Sequence, residues 1–425
     1  MREQADSGTG RAFGYVTILF FVWGAVTSIN DVMVPAVRSI FSLSVTEGLL
    51  TQFAFFLAYG IVSLPAAALV GRLGASRSIT LALFTMVAGC LLMPVATAVR
   101  AYWIVLLALF VIASGITLLQ VAANPLSAAL GRSERSHFRL ALSQAFNSLG
   151  TLVAPPLAAT LLLTGGLFAG GAATPEALAQ SLRRIDIAYA AIAIVIILLA
   201  GFLWRQRGTI DRAGRAGATE AGQGTIRDAL RSPFARLGAM AIFLYVGAEV
   251  SIGSVLVNFL EQPAIAGVTA ERAGQMLAFY WGGAMLGRFA GSALLTRMRA
   301  DRLLALAALA AAILCGIVIA AAGTPAAIAA LAIGLFNSIM FPTIFTITLD
   351  RSSAPPAATA GMLCVAIVGG AVVPLLFGAV SRMAGLSGAF VVPAICYAAI
   401  ALFAVAVGLA PVAISPGRSR LSASH

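Results

Sequence analysis

Lysine is absent from the 425 residues and histidine occurs only twice, as His137 and His425. Two histidines so placed give neither a Ser-His-Asp constellation nor an H-E-x-x-H motif, so no enzyme chemistry is expected. Cysteine is also scarce. Cys90, Cys315, Cys364 and Cys396 show no C-x-x-C spacing and all fall in apolar sequence, which implies neither a disulfide framework nor a zinc site. Charge is the largest deficit. Only 10% of residues are charged while 60% are hydrophobic, and the mean hydropathy is +1.00. A water-soluble fold has nowhere to hide that much apolar surface.

What is present are apolar stretches of membrane-spanning length. A spanning helix needs about 20 such residues, and its backbone must satisfy its own hydrogen bonds in lipid, so an all-α membrane protein is expected. Gly, Pro and Arg punctuation divides the chain into spans near 12–34, 46–70, 78–99, 102–130, 138–164 and 185–204. Six more lie near 234–260, 272–296, 302–322, 325–349, 356–381 and 388–412. The first stretch carries Asp31 and no A-x-A cleavage pattern, so it is expected to be a retained helix and not a signal peptide.

The formal charge of +12 comes from arginine alone, and these arginines form no basic face with interleaved aromatics, so no nucleic-acid partner is expected. They sit in alternate loops instead. Arg72, Arg77, Arg132, Arg135 and the group from Arg205 to Arg236 share one side, and the other keeps few, such as Arg100 and Arg272. By the positive-inside rule this predicts twelve spans with both termini cytoplasmic, in a bacterial inner membrane.

The polar segment 205–233 separates six spans from six and is expected to be a flexible linker between bundles at 1–204 and 234–425. The halves repeat one another. Gly24-Ala25-Val26-Thr27-Ser28-Ile29 matches Gly247-Ala248-Glu249-Val250-Ser251-Ile252 at an offset of 223, which also pairs Gln52, Phe56 and Gly60 with Gln275, Phe279 and Gly283. At an offset of 219, Gly150, Val153, Pro155 and Leu157 pair with Gly369, Val372, Pro374 and Leu376. Six spans per repeat keep both halves in the same orientation. The halves resemble the parallel repeats of major facilitator transporters, an arrangement in which substrate is expected near the midplane between the halves.

Two acids, Asp31 and Glu249, are embedded in apolar sequence. A carboxylate there costs about 2.5–3.5 kcal/mol on insertion scales, so such residues usually face a cavity and mark an ion or substrate path. Both are candidates for carrying a coupling cation, although Glu249 could instead pair structurally with an arginine such as Arg288. Asn30, Gln120, Asn124, Gln144, Asn147, Asn258 and Asn337 lie at span depth and offer the paired donors and acceptors that sugar hydroxyls need. Trp23, Phe56, Tyr280 and Trp281 offer aromatic faces for the apolar side of a pyranose ring. The alternative for each amide is interhelical bonding. Arg72 and Arg77, with Gly71 and Gly74 between spans two and three, fit a Gly- and Arg-rich cytoplasmic gate, with topology setting as the alternative. His137 is expected to be solvated in a loop.

Several motifs resemble the fucose and glucose/galactose permease branch of the major facilitator superfamily. They are Phe21-Val22-Trp23-Gly24 through Asn30-Asp31, Leu119-Gln120-Val121-Ala122-Ala123-Asn124-Pro125 and Gln144-Ala145-Phe146-Asn147-Ser148-Leu149-Gly150. The second half adds Tyr245 through Gly253, Phe279-Tyr280-Trp281-Gly282-Gly283, Phe336-Asn337-Ser338-Ile339-Met340-Phe341-Pro342 and Val368-Gly369-Gly370. The resemblance implies import of a monosaccharide with a cation, usually a proton, and no other cofactor. Asp31 then corresponds to the span-one acid, and Gln144 and Asn147 to the span-five amides. Fucose permeases carry an acid where this chain has Gln120, so their proton relay does not transfer whole, and Glu249 can stand in for it. The expectation is a monomeric proton-coupled importer of a glucose- or galactose-type hexose. The alternatives are Na⁺-coupled symport of glucose or N-acetylglucosamine, with Asp31 as the metal ligand, and drug/proton antiport.

Overall fold

Every apolar stretch becomes a helix in the computed structural model, which describes the backbone of residues 2–40, 45–162, 174–217 and 226–410. Side chains are described at 8–28, 53–156, 174, 176–214, 227–269 and 271–410. Asn30, Asp31 and the tail after 410 therefore lie outside the described side chains.

The first half holds α1 (Arg2–Ile40), α2 (Val45–Leu73), α3 (Ala75–Val99), α4 (Tyr102–Ala129), α5 (Ser136–Leu162) and α6 (Pro175–Gly217). After the short α7 (Ile226–Arg231) come α8 (Pro233–Glu261), α9 (Ala270–Leu294) and α10 (Ala300–Ala320). The next crossing is broken into α11 (Gly323–Asn337) and α12 (Met340–Arg351), and the one after it into α13 (Pro356–Val365) and α14 (Gly369–Ala389) around a 3-10 turn at Ala366–Val368; α15 (Val391–Leu409) closes the set. Over the described residues ten of these crossings are long and apolar enough to span a membrane by composition. Helices α5 and α9 carry polar side chains where the halves meet, and they pack against each other there. A helix shielded from lipid by its neighbours is free to carry polar side chains.

One expectation is corrected. Helix α6 runs on through the first part of the segment expected to be a flexible linker, reaching Gly217. At 1.5 Å per residue its 43 residues extend about 64 Å, roughly twice the apolar thickness of a bilayer, so its far end projects beyond the membrane. Alanine and arginine are strong helix formers, and both recur along this part of the helix.

Loop contacts sort the helix ends onto two faces. On the linker face, Arg351 donates to the Ala410 carbonyl (2.9 Å) and Arg299 to that of Gly408 (3.4 Å). On the other, Thr97 donates to Asp186 (2.7 Å) and the Gly323 amide to the Ala264 carbonyl (2.8 Å). The buried Arg139 donates to the carbonyls of Ser127 and Ala128, satisfying orphan acceptors in the last turn of α4, and to that of Arg132 in the turn that follows.

The sequence repeat is a repeat of contacts. Helix α1 packs on α5 as α8 packs on α14, α3 on α6 as α10 on α15, and α2 on α4 as α9 on α11. Four of the matched glycines sit at close helix contacts. A Cβ on Gly24 would strike the backbone of Asn147, and one on Gly150 the backbone of Phe21 and Ala25. In the second half a Cβ on Gly247 would strike Val373, and one on Gly369 the backbone of Phe243. Small residues let helices approach backbone to backbone, which fixes their relative position without any hydrophobic drive inside lipid.

Candidate functional site

A cavity of about 160 Å³ lies between the halves, room for several water molecules. Its wall is chemically lopsided. The first half contributes Trp23 from α1, Gln120 from α4, and Gln144 and Asn147 from α5. The second contributes Tyr245, Val246 and Glu249 from α8, Arg288 from α9, Phe341 from α12 and Ile367 from the 3-10 turn.

Each amide is held by its nitrogen. Gln120 Nε2 donates to the Tyr59 hydroxyl (2.5 Å), Gln144 Nε2 to Asn124 Oδ1 (3.3 Å) and Asn147 Nδ2 to the Phe20 carbonyl (3.0 Å). Each amide nitrogen keeps a second N–H and each carbonyl oxygen its lone pairs, so the three amides offer the wall both donors and acceptors. Gln144 and Asn147 are three apart on α5 and so share a face. Trp23 is buried beside them, its ring 5.2 Å from that of Phe20.

On the opposite wall Arg288 makes three connections. Its Nη2 lies 3.8 Å from Glu249 Oε1, its Nε donates to the Ser338 carbonyl (3.1 Å), and its Nη1 donates across the halves to Ser148 Oγ. The Ser338 carbonyl is available because Pro342, four residues on, has no N–H to offer it. The break between α11 and α12 thus supplies a fixed acceptor for the guanidinium. Tyr245, one turn before Glu249, has a buried hydroxyl with no geometric hydrogen bond, its near neighbour being the Glu249 carboxylate.

The other expected site residues fall elsewhere. Asn337 is fully buried, donating to the hydroxyls of Tyr280 (2.9 Å) and Tyr397 (3.3 Å). Asn337 and Tyr280 therefore join α9, α11 and α15 inside the second half and do not reach the cavity wall. Asn124 is buried behind Gln144 and positions it. Asn258 is exposed, and Trp281, 43% exposed, packs beside Gly253 away from the wall. Phe56 lies against Gly370. Asn30 and Asp31 lie outside the described side chains. Among the described residues no three His, Cys, Asp or Glu side chains converge as a metal site would require.

Arg72 and Arg77 are exposed around the α2–α3 turn, where Gly74 has φ 80°. Contacts between the halves on the linker side come from other residues. Gly361 approaches Ser63 and Ala67, and His137 Nδ1 lies 2.6 Å from Thr346 Oγ1 with its Nε2 3.5 Å from Asp350 Oδ2. The expectation that His137 is solvated is corrected: it opens α5, and the helix meets α12 there.

Tyr245, Val246, Phe341, Ile367, Ser148 and Tyr59 were not among the residues expected from sequence. The position of Arg288 deep inside its span was the available signal for Tyr245 and Ser148; the apolar wall residues left none.

Comparison with known proteins gives one family. The profile of the Major Facilitator Superfamily matches residues 16–363. The chain is 43% identical over 400 residues to the glucose/galactose transporter of Brucella abortus, covering 94% of this chain and 95% of that one. It is 30% identical over 422 residues to the L-fucose-proton symporter of Escherichia coli, covering 94% of each. The crystal structure of the major facilitator transporter FucP in the outward conformation superposes with a TM-score of 0.82 at 29% identity, over 93% of this chain and 98% of that one.

Proposed function

The chain belongs to the major facilitator superfamily, and from that premise we propose that it imports a monosaccharide of the glucose or galactose type together with a proton. The observation that carries this reading is the pairing of walls: three hydrogen-bonded amides and an indole on one side, a carboxylate–guanidinium pair on the other. A hexose hydroxyl both donates and accepts, so a neutral polyol satisfies the two walls at once. The similarity to a glucose/galactose transporter and to a fucose-proton symporter supports the same substrate class and the same ion.

Gln120, Gln144, Asn147 and Trp23 contact the sugar, and Asn124 holds Gln144 in place. Glu249 carries the coupling proton in the second half and Asp31 in the first. The bundles at 1–204 and 234–425 rock about the cavity, joined through 205–233, with both termini and the linker face cytoplasmic, as the arginine distribution favours. One chain supplies the whole cavity, so a monomer suffices. The linker-side contacts of His137 and Gly361 are those that must part for release into the cytoplasm.

Uptake of labelled glucose, galactose, fucose and N-acetylglucosamine into proteoliposomes, with pH and Na⁺ gradients imposed independently, tests the proposal. Accumulation driven by the pH gradient alone is the expected result. A strict requirement for Na⁺ would move the coupling to a metal at Asp31. Absence of uptake for every sugar would remove the substrate assignment.

A further inference from the structure

We infer that Arg288 converts the charge of Glu249 into affinity for the sugar, being the counter-ion of the ionised acid and a donor to a sugar hydroxyl once the acid is protonated. The inference rests on the proposed sugar/proton symport and names the residue that links the two ligands.

The geometry is that of a shared cation. Two of its three partners, the Ser338 carbonyl and the Ser148 hydroxyl, are neutral and hold the guanidinium at the cavity wall from both halves. The third, Glu249, is approached by a single nitrogen at 3.8 Å, longer than a hydrogen bond and far from the bidentate fork that arginine makes with a committed carboxylate. Both side chains keep about 15% of their surface open, and both line the cavity. While Glu249 is ionised, the field of Nη2 is directed at the carboxylate. A proton on Glu249 removes that claim, leaving a buried cation whose open donor faces the cavity. A sugar hydroxyl then accepts from it. Proton and sugar thereby favour each other's binding, and this reciprocity is what makes coupled entry obligatory. Among the described residues, the ionisable groups in electrostatic contact with Glu249 are Arg288 and Tyr280 on α9, Tyr245 on α8 and Tyr397 on α15.

The test is glucose and galactose binding to the purified full chain between pH 5.5 and 8.5, by calorimetry, for the wild type, Glu249→Gln, Arg288→Gln and the double variant. Wild-type affinity should weaken toward alkaline pH. Glu249→Gln should bind tightly with a flattened pH slope, and Arg288→Gln should bind about tenfold more weakly at pH 5.5, the size of one charge-assisted hydrogen bond. The two single variants should lose the same part of the slope, so that the double variant loses no more. A purely structural Arg288 would lower affinity equally at every pH, and an Arg288→Gln protein with the wild-type slope overturns the inference. Should Arg288→Gln not fold, Arg288→Lys keeps the charge without the planar fork and should show a reduced slope; an unchanged slope again overturns it. A wild type that binds no hexose at any pH removes the symport reading and this inference with it. Sugar binding with a pH slope that neither variant alters removes this inference alone.

Discussion

Replacing Gly24 by alanine should cost both stability and sugar affinity, because the α1–α5 contact that positions Asn147 leaves no space for a methyl group. A Cβ at Gly24 meets the carbonyl and the side-chain nitrogen of Asn147, and backbone within a helix cannot turn aside as a side-chain tip does. Helix α1 must therefore move off α5, which also stretches the bond from Asn147 Nδ2 to the Phe20 carbonyl. Overpacking of this kind costs about 1–3 kcal/mol, the lost buried hydrogen bond adds about 1 kcal/mol, and the better helix propensity of alanine returns about 1 kcal/mol. A net destabilisation of about 1–3 kcal/mol results, with a raised KM because Asn147 leaves its place in the wall. Gly247→Ala, the repeat counterpart, meets mainly the Val373 side chain and should be milder. Gly201→Ala meets nothing within 4 Å and serves as the control. Thermal unfolding in detergent and uptake kinetics in proteoliposomes measure the two effects. A Gly24→Ala protein with wild-type melting temperature and KM, or one no worse than Gly201→Ala, would refute the reasoning.

Asn337→Ala should lower stability by about 1–3 kcal/mol, the cost of leaving buried polar groups unpaired, while leaving the KM of the folded fraction unchanged; a raised KM would return Asn337 to the sugar site. Burial holds the His137 imidazole below its ordinary range, with Asp350 and Asp301 opposing that and Arg139 reinforcing it. The separated state then binds the proton more readily than the clasped one, so the clasp with α12 strengthens as pH rises and weakens once pH falls below about 6.5. Hydrogen-exchange protection at the start of α5 and the end of α12, taken relative to the intrinsic exchange rate at each pH, should fall on acidification in the wild type and stay constant in His137→Gln; an equal fall in both would assign the effect to another group. Asp31→Asn should abolish pH-driven accumulation while retaining sugar exchange, and an unchanged accumulation ratio would take Asp31 out of the coupling.

The fold was legible because lipid leaves few options: apolar length gives the crossings, arginine gives the expected sides, and paired glycines reveal the repeat. The site was legible in depth and not in azimuth. Of the amides named from the sequence, Gln120, Gln144 and Asn147 do line the cavity. Asn337 is equally deep yet turned inward to Tyr280 and Tyr397, and no periodicity shows this in a stretch apolar on every side. The helix is interrupted after Asn337 and resumes at Met340. Phe341 reaches the wall from beyond that break, and Ile367 from a second one, so apolar lining residues depended on backbone irregularities that a helical pattern conceals.

The two halves share a scaffold but not a chemistry. At the offset that superposes Gly24 on Gly247, Glu249 falls on Val26 and Arg288 on Pro65, so the ion pair replaces apolar residues of the first repeat. At the offset that superposes Gly150 on Gly369, Asn147 falls on Ala366, the first residue of the 3-10 turn. The glycine contacts that set helix spacing were retained, and the residues one turn away diverged. A cavity whose walls were truly alike would offer a sugar the same acceptors twice and no charge to respond to a proton. In the proposed mechanism, fixed amides on one bundle and an ion pair on the other make sugar binding depend on both bundles. A bridge of that kind, held between bundles that must part, allows a charge change at Glu249 to act on the separation of the halves.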